Sequence, residues 1–372
     1  ALPAPDTSRS NQHGALVPPR DLLELQLVQI WEKLLDIHPV GVTDNFFELG
    51  GHSLLAVRLM AQIQKQFGQN LPLATLFQEG ATIEQLARFL HLPATSKFRS
   101  PLVGIQPSGS KRPFFCVHPV GGNVLSYVHV AWHLGSEQPF YGLQHPGLYS
   151  EEKLFSQVEV MAAHYIEAIR TLQPEGPYLL GGWSLGAVIA FEMARQFRTH
   201  GHEVALLALL DPPRPSAPTG GQANGTAMLV NFGQDFGLTL DASTISSDHF
   251  QQLKPDQQLG YILAQAKSAN LVAADVDLDQ LRRHLQVFMA NQQARSSFTP
   301  QTYPGRVILL QAAERPNSEE EPTLGWDKFA TGGVEIYTVP GDHYTLLKEP
   351  HVQVLARYLK TCLEAAQVGV SG

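Results

Sequence analysis

The hydrophobic spacing of this chain changes once, near residue 100, and that change limits what it can fold into. Before it, Leu23, Leu27, Ile30, Trp31, Leu34 and Leu35 recur every three or four residues, the spacing of one buried helical face. A second such pattern starts near Ser53 with Leu55, Leu59, Met60, Ile63 and Phe67, and Gly68 stands just past its end. Thr82-Ile83-Glu84-Gln85 opens a third helix with the Thr-x-x-Gln spacing of a capping box. After it, short apolar runs alternate with helical patterns: Phe114–Val117, Phe140–Leu143, Tyr178–Leu180, Val204–Leu210, Arg306–Gln311 and Val334–Val339. Runs of that length separated by helices predict a parallel sheet covered on both faces. One bundle or one sandwich cannot satisfy both halves, so the sequence predicts two domains of different class.

The boundaries follow from the punctuation. Residues 1–19 hold Pro3, Pro5, Pro18 and Pro19 among small polar residues and read as linker. An all-helical domain is expected over 20–92, a second linker over 93–100 and an α/β domain over 101–367. From Pro212 to about Pro300 the alternation stops, while Leu281, Leu285, Phe288 and Met289 keep a helical spacing. A bare loop of that length does not belong in a compact domain, so 212–300 is read as a helical lid insertion.

Composition removes several function classes. The 372 residues carry 26 basic and 34 acidic side chains, net −8, the wrong balance for holding nucleic acid or an anionic membrane. The longest clean apolar run, Val204–Leu210, is far too short to span a bilayer. No signal-peptide pattern opens the chain. Two cysteines, Cys116 and Cys362, cannot build a disulfide framework. A soluble cytoplasmic protein is expected.

The chemistry gathers on two serines. Gly182-Trp183-Ser184-Leu185-Gly186 matches G-x-S-x-G, preceded by a strand run and followed by a helical one. That crossing lifts a serine onto a sharp turn, with a backbone N–H at a helix N-terminus beside it. Serine needs a base, and the base an orienting acid. Asp211 ends the run Val204–Leu210, at the strand terminus where parallel sheets keep their sites. Glu314 after the next strand and Asp342 are rivals for the acid. His343 stands in the turn Pro340-Gly341-Asp342-His343-Tyr344, after the last strand run, and is the candidate base. His118-Pro119-Val120-Gly121-Gly122 follows an early strand, so the N–H groups of Val120 and Leu185 are the candidate oxyanion donors. His129 and His133 are spaced i, i+4, but no third ligand is in pattern, so no metal is expected.

The second serine is Ser53, in Asp44-Asn45-Phe46-Phe47-Glu48-Leu49-Gly50-Gly51-His52-Ser53-Leu54. At a helix N-terminus it suits either a capping role or a covalent phosphodiester, since that end carries partial positive charge and free N–H groups.

The stretch Asp44–Leu54 resembles the carrier-protein motif of nonribosomal peptide synthetases. The second domain resembles the thioesterase that ends such assembly lines, through His118–Gly122, Gly182–Gly186 and Asp211. The resemblance covers about 20–365. It implies a small four-helix carrier domain followed by an α/β-hydrolase domain with a helical lid. It implies covalent 4′-phosphopantetheine on Ser53, a triad of Ser184, Asp211 and His343, and an oxyanion hole at Val120 and Leu185. It favours Asp211 over Glu314. It also implies upstream adenylation and condensation domains, a phosphopantetheinyl transferase, and contact between carrier and thioesterase. The absence of an initiating Met fits a piece of a larger synthetase. Release of a peptidyl thioester, by hydrolysis or ring closure, is then the expected activity. An editing thioesterase and a non-catalytic docking module are the alternatives.

Overall fold

A computed structural model describes residues 17, 22–37, 40–78, 81–90, 100–107, 109–148, 154–215, 225–235, 238, 245, 247–269, 277–315 and 321–368. Most of the two predicted linkers, 1–19 and 93–100, lies outside the described residues. The chain divides into two compact units. One comprises 1–99 with 259–278, the other 100–258 with 279–372.

In the first unit the described helices before residue 100 are α1 (Leu22–Leu35), α2 (Ser53–Phe67), α3 (Thr75–Gln78) and α4 (Ile83–Leu90). The short α3 carries no periodic signal in the sequence. Leu27, Ile30, Trp31, Leu59, Ile63 and Leu86 are buried together as the helical spacing requires. Gly68 ends α2 in the left-handed conformation, its N–H bonded to the Gln64 carbonyl at 2.9 Å. The capping box forms: the Gln85 N–H donates to Thr82 Oγ1 at 3.4 Å and the Thr82 N–H to Gln85 Oε1 at 3.3 Å. The loop before α2 is anchored by Phe46, fully buried edge-on against Trp31.

The second unit is built on a seven-stranded sheet in the order β1-β3-β2-β4-β5-β6-β7. The strands are β1 (Leu102–Gln106), β2 (Phe114–Val117), β3 (Phe140–Leu143), β4 (Tyr178–Trp183), β5 (Val204–Leu210), β6 (Val307–Ala312) and β7 (Val334–Val339). All neighbours pair in parallel except β1, which runs antiparallel to β3 at the edge. The expected parallel α/β sheet is therefore present, with one strand added. β1 escapes the sequence because Gly104 interrupts five residues that are only partly apolar. β2 and β4 are buried along their whole length, so they show unbroken apolar runs and no alternation.

Two helices, α6 (Val158–Leu172) and α7 (Leu185–Thr199), pack together over Phe115, Val117, Leu180, Leu207 and Leu309. The alternate strand residues Phe114, Leu179, Ala208 and Leu210 are buried on the opposite side. There α5 (Val128–Leu134) packs with the last helix, α12 (His351–Val368). Between β5 and β6 lie α8 (Gly225–Asp235), α9 (Asp248–Gln252), α10 (Pro255–Ser268) and α11 (Leu278–Ser297). Among the described residues that interval contains no strand.

Candidate active site

The turn from β4 into α7 is too tight for side chains on its flanks. A Cβ on Gly182 would lie 2.2 Å from the Gly186 carbonyl carbon, and one on Gly186 would lie 2.1 Å from the Val117 oxygen. Glycine at both places lets helix and strand meet, and Ser184 between them takes φ 57°, ψ −121°. The Ser184 N–H is bonded to the Leu210 carbonyl at 3.0 Å, which ties the turn to β5. Beneath it the buried Tyr127 hydroxyl donates to the Val117 carbonyl at 2.5 Å and accepts the Trp183 N–H at 2.9 Å.

Asp211 follows β5 directly, at φ 42°, and is buried. Its Oδ1 accepts the Ala312 N–H at 2.7 Å and two donors of Arg315, the Nε bond being 2.8 Å. Its Oδ2 lies 2.6 Å from His343 Nδ1. Burial opposes ionisation, but the His343 bond, the Arg315 charge and the Ala312 N–H outweigh it and hold the carboxyl below its usual range. His343 Nε2 lies 3.1 Å from Ser184 Oγ. Because Asp211 is ionised and only accepts, Nδ1 carries the proton and Nε2 is left to accept from the serine hydroxyl. A chain of this polarity takes up a serine proton as the oxygen attacks an acyl carbon.

The two rival acids take other positions. Glu314 is exposed, and no hydrogen bond joins its carboxylate to His343. Asp342 accepts the N–H groups of Tyr344 and Thr345, both at 2.9 Å, and so shapes the turn that presents His343.

Ser184 and His343 line a cavity of about 150 Å³ together with Val120, Leu185, Phe288 and Arg295. The N–H groups of Val120 and Leu185 have no acceptor among the described residues, as free donors beside a reacting centre require. Ser53 is the first residue of α2; the cap position belongs to His52. Ser53 is half-buried and its hydroxyl bonds to nothing among the described residues. A Cβ on Gly50 would meet nothing within 4 Å. An unengaged hydroxyl on an open helix terminus fits a phosphodiester attachment. His133 pairs with Glu349 at 2.6 Å and His129 packs edge-on against Trp132.

The sequence brought Ser184, Asp211, His343, Val120 and Leu185 forward, and they meet. It missed Arg315, although that residue directly follows Glu314 after β6. It also missed Asp235, which lines the cavity from α8. Burial pushes that carboxyl up to about 7, against the pull of a bond from the Gly121 N–H. No motif marks either residue.

Residues 112–362 match the thioesterase domain family, and residues 25–90 match the phosphopantetheine attachment site family. The chain is 31% identical over 98% of its length to a dimodular nonribosomal peptide synthase of Bacillus subtilis, of which it spans 15%. It resembles the structure of a four-domain nonribosomal peptide synthetase bound to AMP and glycine, with TM-score 0.68 and 31% identity, over 97% of this chain and 27% of that one. It also resembles the NocB thioesterase domain in covalent complex with a fluorophosphonate nocardicin G analogue, with TM-score 0.53 and 25% identity, over 70% of this chain and 99% of that one. The chain thus spans a small part of the synthetases that it matches. Among the described residues no helix is long and apolar enough to cross a membrane.

Proposed function

The chain belongs to the thioesterase domain family and carries a phosphopantetheine attachment domain ahead of it; from that premise we propose that it is the releasing part of a nonribosomal peptide synthetase, working through an ester on Ser184. In this reading the carrier occupies 20–92, a connection 93–100, and the α/β-hydrolase thioesterase 101–367, with a lid over 212–300. Ser53 bears the phosphopantetheine. When bound, that group supplies a thiol on a long arm, to which a peptidyl chain is joined as a thioester.

The chain's own residues then do the following. Ser184 attacks the thioester carbonyl while His343 takes its proton. Asp211 holds the imidazole in the productive tautomer and stabilises the imidazolium. The N–H groups of Val120 and Leu185 receive the developing oxyanion, each worth about 3 kcal/mol of transition-state stabilisation. His343 returns the proton to the departing sulfur. An ester on Ser184 remains, and water or a nucleophile of the chain itself, activated by His343, releases an acid or a ring. Tethering both domains on one chain raises the effective concentration of the acyl group at Ser184. The adenylation and condensation domains that build the peptide, and the transferase that loads Ser53, belong to the same reading.

The observation that carries it is the hydrogen-bonded series from Ser184 through His343 to Asp211. The test is intact-protein mass spectrometry after mixing the chain with a short acyl thioester. The parent gains one acyl group at Ser184, and Ser184→Ala gains none. Undiminished turnover by Ser184→Ala refutes the assignment.

A further inference from the structure

A trans peptide plane carries its C=O and the following N–H in opposite directions, so fixing the carbonyl aims the amide. The backbone of His118–Gly122 can be followed group by group on that basis. The Pro119 carbonyl accepts His118 Nδ1–H at 2.7 Å and the Gly122 N–H at 3.0 Å. His118 is buried, and its Nε2 accepts the Tyr165 hydroxyl at 2.7 Å. These bonds come from the loop and the core, and they hold the carbonyl end of the plane whose other end is the Val120 N–H.

The next plane is held differently. The Val120 carbonyl accepts Asn291 Nδ2–H at 2.8 Å, and the Gly121 N–H is bonded to the Asp235 carboxylate. Asp235 belongs to α8 and Asn291 to α11. Both ends of the Val120–Gly121 peptide are therefore held by the helical insertion. The two planes meet at Val120 Cα, and the Val120 N–H, on the first of them, has no acceptor among the described residues.

Asn291 is fully buried and does not line the cavity. Among the described residues its Oδ1 has no hydrogen-bond partner. A buried amide oxygen left unpaired is costly, and an apolar residue at this place would avoid the cost. What the amide provides in return is its bond to the Val120 carbonyl.

We propose that Asn291 is a positioning residue that couples the helical insertion to the reaction: by holding the Val120–Gly121 peptide it keeps the Val120 N–H aimed at the oxygen that gains charge when Ser184 attacks. The proposal rests on the reading of Ser184 as nucleophile. Loop and core bonds hold the peptide before Val120 and α11 holds the one after it, so the helix that walls the acyl cavity also steadies the aim of the donor. An acyl chain that seats α11 speeds its own transfer, and one that lifts it loosens the donor.

The test uses the full chain with Asn291→Leu, close in shape but without a donor, and Asn291→Ala. The probes are a short acyl thioester and an alkyl boronic acid, whose boron takes the place of the carbonyl carbon and forms a tetrahedral adduct on serine. Both variants should lower kcat about tenfold to a hundredfold, leave KM nearly unchanged, and weaken the boronic acid by the same factor. A loss of folding lowers the amount of active enzyme and leaves the boronic acid affinity of the folded fraction unchanged. Parental kcat and boronic acid affinity in either folded variant overturn the proposal. If the parent never forms an acyl-serine, the reading of the site fails and takes this inference with it. If the parent does form one and Asn291→Leu is unimpaired, this inference alone fails.

Discussion

Asp211→Asn changes one atom, and the surrounding donors decide where that atom goes. Oδ1 faces the Ala312 N–H and two donors of Arg315. An amide nitrogen placed there would set donor against donor in a buried site, at about 1–3 kcal/mol for each group left unpaired. The amide must therefore keep its oxygen on that side and turn its NH2 toward His343 Nδ1. The imidazole then carries its proton on Nε2, the atom 3.1 Å from Ser184 Oγ, and can no longer accept the serine proton. Recovering the productive tautomer puts Nδ1–H against the amide NH2. A tautomer trap of this kind costs about 10³–10⁴-fold in kcat, or about 4–5.5 kcal/mol of barrier. Single-turnover thiol release from a short acyl thioester at neutral pH measures it, with Glu314→Gln alongside. The reasoning is refuted if Asp211→Asn stays within about tenfold of the parent, or if Glu314→Gln is the slower variant. The same substitution alters acid stability. In the parent, the depressed carboxyl contributes stability that is present above its unfolded pKa of about 3.9 and fades as pH falls through the lower folded value.

Ser53→Ala should gain no mass on incubation with coenzyme A and a phosphopantetheinyl transferase, while the parent gains one arm; an arm on the variant places the attachment elsewhere. Asp235 predicts a pH dependence of the opposite sign to Asp211. Its folded carboxyl holds a proton up to about pH 7 and its unfolded one loses it near 3.9, so the group weakens the fold as pH rises between those values. Asp235→Asn should therefore raise Tm relative to the parent more at pH 8 than at pH 5. An equal difference at the two pH values contradicts the raised carboxyl.

The sequence made the parallel sheet legible because strands buried on both faces must be apolar throughout, and β2, β4 and β5 are. It made Ser184 legible because only glycine fits on either side of that turn. Asp211 and His343 were readable as strand-end positions, and the family resemblance already favoured Asp211 over Glu314. What the sequence hid was whatever depends on contacts distant in the chain. Arg315 reaches Asp211 across 104 positions, and Asn291 reaches Val120 across 171. Neither sits in a periodic pattern or a motif, and only the packed structure gives them a role. β1 was hidden for a different reason: an edge strand needs few apolar residues.

The helical insertion leaves the sheet at Asp211 and returns at Val307, and the two strands it separates in sequence are neighbours. Leu209 pairs with Leu309, and the Asp211 N–H bonds to the Leu310 carbonyl at 2.7 Å. The sheet is thus closed at the very point where the excursion begins, and doubling the length of a flexible excursion costs only about 0.6 kcal/mol. Mutation can lengthen, shorten or rewrite this stretch while Ser184, His343 and Asp211 keep their spacing. What the enzyme accepts can therefore change while the triad stays in place, provided that the stretch keeps the Asn291 contact with Val120, and an exchanged segment crosses only one seam in the sheet.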